Sequence, residues 1–147
     1  MEALLPHTEK RIRDHFAAQP LLKTYGATLT ALGKGFAEIS LEPRPILLRS
    51  GGLFHGGVIT AIADSAGGYA CGTLFETEAL FLTVELKINF LNPAKGDRLV
   101  TRGKVLKGGK TLSIVQTDSF IERNGTLHPV ATALLTFIKE IPAPRPD

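Results

Sequence analysis

Gly52-Leu53-Phe54-His55-Gly56-Gly57-Val58-Ile59-Thr60-Ala61-Ile62-Ala63-Asp64 is the segment around which the rest of this sequence arranges itself. It opens on small residues and a lone imidazole. It continues as an apolar run from Val58 to Phe75 with one carboxylate, Asp64, inside it. Val58, Ile59, Ile62, Ala66 and Tyr69 recur at steps of three and four, which is helical spacing. Glycine costs a helix about 1 kcal/mol relative to alanine, so the pair Gly67-Gly68 calls for a compensating close approach by a sheet or a second helix. A helix that is apolar nearly all round belongs in an interior. A membrane span fits poorly, because a charge at mid-span costs roughly 2.5–3.5 kcal/mol and no basic flank stands beside the run.

Asp64 carries the most information. A buried carboxylate is paired, hydrogen-bonded or protonated, so it caps a loop, pairs with an arginine, or serves as a general base or nucleophile in a cleft. His55-Gly56-Gly57 falls where the helix begins. Free backbone N–H groups at such an end favour an anion or a developing oxyanion, and glycine lets a ligand come close. A lone histidine there is also an ordinary cap. Gly56 and Asp64 are eight residues apart in the sequence, or about 12 Å along one helix. That is too far for both to touch one carbonyl, so a shared site needs two chains with antiparallel helices, as a two-fold dimer supplies.

Outward from this helix the chain reads as strands and turns. Thr8 to Gln19 is expected to be a surface helix capped by Thr8, with Ile12 and Phe16 on its docked face and Pro20 after its end. Tyr25 to Leu32 reads as a strand, Gly33-Lys34-Gly35 as a turn, and Ala37, Ile39 and Leu41 as the inward residues of a half-buried strand. Ile46 to Phe54 reads as a loop. Val84, Leu86, Ile88 and Phe90 alternate with Glu85, Lys87 and Asn89. Strands follow at Arg98–Leu106, Thr111–Glu122 and Leu127–Lys139, joined by hairpins at Lys107–Lys110 and Asn124-Gly125. Residues 140–147, with Pro142, Pro144 and Pro146, read as a flexible tail. Hairpins imply antiparallel pairing. The expectation is an α+β domain spanning 1–147, with an N-terminal helical segment over 1–20 and a six-stranded antiparallel sheet curled around one apolar helix.

Composition agrees with a globular chain: 147 residues, 44% hydrophobic and 21% charged. The single cysteine, Cys71, excludes an intrachain disulfide and fits a reducing compartment, and no Cys/His cluster suggests a metal. With no signal-peptide pattern, the expected location is cytoplasmic. The net charge of +3 and pI near 9.2 suit an anionic ligand. No nucleic-acid motif appears, and the basic residues are not interleaved with aromatics.

The G-x-x-H-G-G motif, followed by an aspartate two turns into a small-residue helix, resembles the hotdog-fold acyl-CoA thioesterases, in particular the PaaI-like branch related to 4-hydroxybenzoyl-CoA thioesterases. Leu82 to Ala94 is similar to that family's long strand and Pro-Ala turn, and Val105 to Leu112 to its next hairpin. The matches cover roughly residues 25–139 in the family's order. The resemblance implies a hotdog fold and hydrolysis of an acyl-CoA to a free acid and CoA, with no cofactor. Asp64 would be the catalytic carboxylate, the Gly56 N–H the oxyanion donor, His55 a positioning group, and Thr83 the hydroxyl that orients water. Gly57 would flank the thioester. Where some relatives carry a polar amide this chain has Arg49, followed by Ser50. Arg49 pairs with Asp64, contacts CoA, or is solvated. Arg102, Lys104, Lys107 and Lys110 are candidates for the CoA phosphates, or form an ordinary solvated strand face. The resemblance further implies a homodimer at least, assembled as a dimer of dimers. Two other readings are a non-catalytic acyl-CoA-binding module and a dehydratase of 3-hydroxyacyl thioesters. The carboxylate argues against the first, and the absent histidine pattern against the second.

Overall fold

The computed structural model describes residues 2–76 and 79–140. The proline-rich segment 141–147 lies outside the described residues. The chain opens with α1 (Pro6–Ala18), which starts two residues before the expected Thr8. Pro6 occupies the first turn, where a missing N–H costs nothing, and Leu5 precedes it without a side-chain cap. Thr8 is therefore a buried residue inside the helix. Ile12 and Phe16 are buried beside it, as their spacing predicts.

The expected strand from Tyr25 is shorter than its sequence suggests. Pro20–Tyr25 forms a second helix, α2, which ends on Gly26 in the left-handed conformation at φ 69°. Glycine at that position is the usual way to stop a helix. Strand β1 (Thr28–Gly33) then pairs with β2 (Phe36–Leu41). The segment expected as a loop contains a 3₁₀ turn at Pro45–Leu47 and a small ladder of β3 (Leu48–Arg49) with β4 (Leu53–Phe54).

Helix α3 (Gly56–Gly72) follows, then the long strands β5 (Leu80–Phe90), β6 (Arg98–Gly108), β7 (Leu112–Arg123) and β8 (Thr126–Glu140). The antiparallel sheet runs β1-β2-β6-β7-β8-β5. Helix α3 packs against β2, β5, β6, β7 and β8. Ile39, Leu41, Leu99, Val115, Ile121 and Leu135 are fully buried in the sheet, and Ile62 is equally buried on the helix. This is the hotdog architecture that the residue pattern and the resemblance both pointed to.

Two glycines allow the helix to sit this close. A Cβ added at Gly67 would lie 2.9 Å from the Phe137 ring, and one added at Gly103 would lie 2.5 Å from the Ala66 carbonyl oxygen. The helix backbone thus rests directly on the β6 backbone. The close approach inferred from Gly67-Gly68 is met from the sheet side by a glycine of its own.

Strand β5 departs from simple alternation. It lies at the sheet edge, so Val84 and Phe90 are 57% and 53% exposed although both are apolar. Its register with β8 shifts between Thr83 and Glu85, leaving Val84 as the extra residue. A bulge inverts the in/out parity of a strand. Phe81 therefore packs against the same core cluster as Leu86 and Ile88, despite its odd spacing from them.

Candidate functional site

The bulge at Val84 also aims Thr83 at the helix. Thr83 Oγ1 donates a 2.5 Å hydrogen bond to Asp64 Oδ1. Asp64 is half-buried, two turns into α3. No cation lies within ion-pairing distance of it among the described residues. Of the three readings of Arg49, the pair with Asp64 is not formed among the described residues of one chain. Arg49 stands exposed on β3 and, like Ser50, makes no side-chain hydrogen bond to another described residue.

At the other end of the segment, His55 is the N-cap of α3. Its Nδ1 accepts a 2.9 Å hydrogen bond from the Gly57 N–H, and its backbone N–H donates to the Leu47 carbonyl at 2.9 Å. The Nδ1 lone pair must be free for this, so the ring proton sits on Nε2. Gly57 therefore has its donor engaged and is not the free N–H of this turn. The free donor is Gly56. As the first helical residue it has no partner within the helix, and no other described group accepts from it. A Cβ on Gly56 would meet the Phe90 ring at 3.3 Å, so glycine fits there under an aromatic cover from β5. Strand β5 thus runs past both ends of the site, with Thr83 at Asp64 and Phe90 at Gly56.

A cavity of about 240 Å³ opens beside Asp64 and Thr83. Its walls include Ile12 and His15 from α1, Gln19 at the C-cap of α1, Tyr69 from α3, Phe81 from β5 and Phe137 from β8. The sequence did not single out the α1 residues as functional. Arg11, His15 and Gln19 recur every four residues beside the apolar pair Ile12 and Phe16, and that second stripe was the available signal. His15 Nδ1 lies 3.1 Å from the Tyr69 hydroxyl and Gln19 Nε2 lies 3.3 Å from His15 Nε2. Burial pushes the Tyr69 phenol up to about 12, so it is neutral at physiological pH. Arg11 Nη2 donates to the carbonyls of Gly72 and Phe75 at 3.1 and 2.7 Å. These are orphan acceptors at and just beyond the C-terminal end of α3, where a cation is favoured.

The four basic candidates do not share this cavity within one chain. Gly103 faces α3, so its neighbours Arg102 and Lys104 point off the opposite face of the sheet. Arg102 pairs with Glu38 at 2.7 Å and lies 5.4 Å from the centre of the Phe120 ring. Burial opposes ionisation of Glu38, yet hydrogen bonds from Arg102 and Thr30 hold its carboxyl below the usual range. Lys104, Lys107 and Lys110 are exposed along β6 and its hairpin. No helix among the described residues is long and apolar enough to cross a membrane. No cluster of three potential metal ligands occurs among them either.

This geometry has counterparts among known proteins. The thioesterase superfamily model matches residues 51–128, just over half the chain, including β4, α3 and most of the sheet. A Saccharolobus solfataricus protein designated an esterase is 34% identical over 127 residues, covering 86% of this chain and 82% of the relative. The Escherichia coli medium/long-chain acyl-CoA thioesterase YigI is 24% identical over 114 residues, 67% of this chain and 74% of that protein. Among solved structures, a thioesterase family protein from Silicibacter pomeroyi superposes with a TM-score of 0.88 at 38% identity, covering 92% of this chain and 99% of its own. The Escherichia coli PaaI protein from the phenylacetic acid degradation operon shares the fold, with a TM-score of 0.82 at 19% identity over 94% and 96% of the two chains.

Proposed function

This chain belongs to the thioesterase superfamily, and from that premise we propose that it hydrolyses an acyl-CoA thioester at Asp64, in a site completed by a second copy of the chain. Membership supports thioester hydrolysis. The observation that carries the assignment to Asp64 is its hydrogen bond to Thr83 where both border a cavity of about 240 Å³.

In this reading the thioester carbonyl lies against Asp64. The carboxylate either attacks the carbonyl carbon or takes a proton from the water that does. The acyl–sulfur bond breaks as an acyl–oxygen bond forms, and CoA leaves as its thiol with a proton that comes from the water. Where the carboxylate attacks, that water then hydrolyses the acyl–Asp64 anhydride to release the acid. Thr83 fixes the orientation of the carboxylate and, in the water route, of the attacking water. The carbonyl oxygen gains negative charge and needs a donor aimed at it. The free N–H of Gly56 is suited to that work, and His55 holds the turn that presents it. Within one chain Gly56 and Asp64 are separated by about 12 Å of helix, so the donor is Gly56 of the partner subunit. The unpaired β5 edge, which lies beside both residues, offers the surface for such a pairing. A dimer of dimers extends the same assembly. Arg49 and the exposed lysines Lys104, Lys107 and Lys110 serve the CoA phosphates from outside the cavity.

The test is thiol release from a panel of acyl-CoAs by the wild type and by Asp64→Asn. Asparagine keeps the shape and hydrogen bonding but cannot act as a base. Turnover should fall by about 10²–10⁴-fold, the usual contribution of general-base chemistry, with the melting temperature retained. Undiminished turnover refutes the role of Asp64. Tight acyl-CoA binding without turnover by the wild type would make the protein a ligand-binding module instead.

A further inference from the structure

The cavity beside Asp64 has a direction. Along α3 it is bordered by Asp64, Ser65, Gly68, Tyr69 and Gly72 in turn. The eight helical steps from Asp64 to Gly72 span about 12 Å. The far end is held by Arg11, whose guanidinium is tied to the carbonyls of Gly72 and Phe75. Gly72 is buried, yet a Cβ built on it meets no described atom within 4 Å. Gly72 lines the cavity, and a side chain there has room to project into it. At Gly68 a Cβ would sit 3.6 Å from the Phe137 ring, an ordinary contact.

We propose that this slot receives the acyl chain of the thioester and that Gly72, at the end far from Asp64, sets the longest acyl group accepted. This inference rests on the thioesterase reading and adds a substrate class to it: acyl groups of up to about ten carbons. Two independent measures give that limit. A cavity of about 150 Å³ holds benzene, so one of about 240 Å³ has room for roughly ten carbon atoms. An extended alkyl chain built from bonds of about 1.5 Å advances about 1.3 Å per carbon and reaches the end of a 12 Å slot in roughly nine or ten. The neighbouring walls Ile12, Leu22, Leu80, Phe81 and Phe137 supply the apolar contact such a chain requires. Each methylene accepted or refused in a pocket of this kind is worth about a tenfold or greater discrimination.

The experiment is a chain-length series, from butanoyl- to hexadecanoyl-CoA, assayed by thiol release with wild type, Gly72→Ala and Gly72→Leu. The wild type should lose efficiency beyond decanoyl-CoA. Gly72→Leu places four side-chain carbons in the slot and should lower the ratio of decanoyl to butanoyl efficiency at least about tenfold. Gly72→Ala should move the limit the same way by a carbon or two. It adds one methyl where no described atom stands within 4 Å, so it decides the matter if the leucine variant does not fold. An unchanged length profile in the variants, or a wild type that prefers hexadecanoyl-CoA, overturns the slot assignment alone. Failure of the wild type to hydrolyse any member of the series overturns the thioesterase reading, and this inference with it.

Discussion

Thr83 Oγ1 lies 2.5 Å from Asp64 Oδ1 and donates to it. The two residues are 19 apart in sequence and belong to different layers of the fold. Their meeting depends on one backbone irregularity. Without the extra residue at Val84, Thr83 would share the parity of Glu85 and Lys87 and face away from α3. The bulge delivers the only side-chain hydrogen bond that Asp64 makes among the described residues.

Replacing Thr83 by valine keeps the branched shape and removes the donor. A hydrogen bond to a charged group is worth about 1.5–3 kcal/mol. If that bond orients the carboxylate for the reaction, kcat for acyl-CoA hydrolysis should fall about 10- to 150-fold. KM should change little, because the bond is internal to the protein. Steady-state kinetics with a single acyl-CoA separates the two parameters. A rise in KM at constant kcat would instead mean that Thr83 contributes to binding.

Much of this arrangement was readable before any coordinates. The alternation in β2, the hairpin at Asn124-Gly125 and the small-residue run of α3 are local signals, and each appears where its spacing says it should. Asn124 and Gly125 both take positive φ, at 50° and 77°, as a two-residue hairpin turn of that kind requires. What escaped the sequence was non-local. Pro20–Tyr25 contains leucine, threonine and tyrosine, which suit a strand as well as a helix, and its state is decided by the proline that opens it and Gly26 after it. The bulge at Val84 exists only in the pairing with β8. The direction of Arg102 depends on Gly103 facing the helix, and glycine carries no polarity from which to read a face. The cavity wall contributed by α1 could be seen as a docked face, but not what it docked upon.

Gly103 offers a direct probe of helix–sheet contact. Alanine in a strand normally gains stability over glycine, by roughly 0.5–1 kcal/mol. Here the added methyl would stand 2.5 Å from the Ala66 carbonyl oxygen, which is backbone and has no rotamer to move. Overpacking of this sort costs about 1–3 kcal/mol. Gly103→Ala should therefore destabilise the protein in urea unfolding despite its favourable propensity. A stabilised variant would show that α3 does not rest on β6 as closely as described.

Cys71 is fully buried, and burial pushes its thiol up to about 12 against an ordinary value of 9.0. The thiolate is the reactive form, so at pH 8 the native protein should resist iodoacetamide while the urea-unfolded chain reacts fully. Mass spectrometry counts the adducts. The same shift sets a pH dependence. Below about pH 9 both states hold the proton and the group has no effect. Between about 9 and 12 the unfolded chain loses it first, so stability falls as pH rises. Cys71→Ser should flatten that slope. Rapid labelling of the native protein would contradict the burial.

The β5 edge yields the prediction on which the two-chain site stands. Leu80, Leu82, Val84 and Phe90 are 46%, 48%, 57% and 53% exposed on one eleven-residue strand. A long apolar edge is a template for pairing with another strand. The same strand lies against Asp64 through Thr83 and covers Gly56 through Phe90. Two such edges paired antiparallel turn the Asp64 end of one chain towards the Gly56 end of the other. A charge placed on the edge should prevent this, as lysine does on natural edge strands. Val84→Lys is suitable because Val84 is the bulged residue and packs least on its own core. The expected result is a monomer in sedimentation velocity that keeps its secondary structure by circular dichroism and loses turnover, since neither Asp64 nor Gly56 can complete a site alone. A variant that stays dimeric would place the interface elsewhere. A monomer that still hydrolyses acyl-CoA would mean that the oxyanion donor comes from within the chain, and Gly56 of the partner subunit would lose its role.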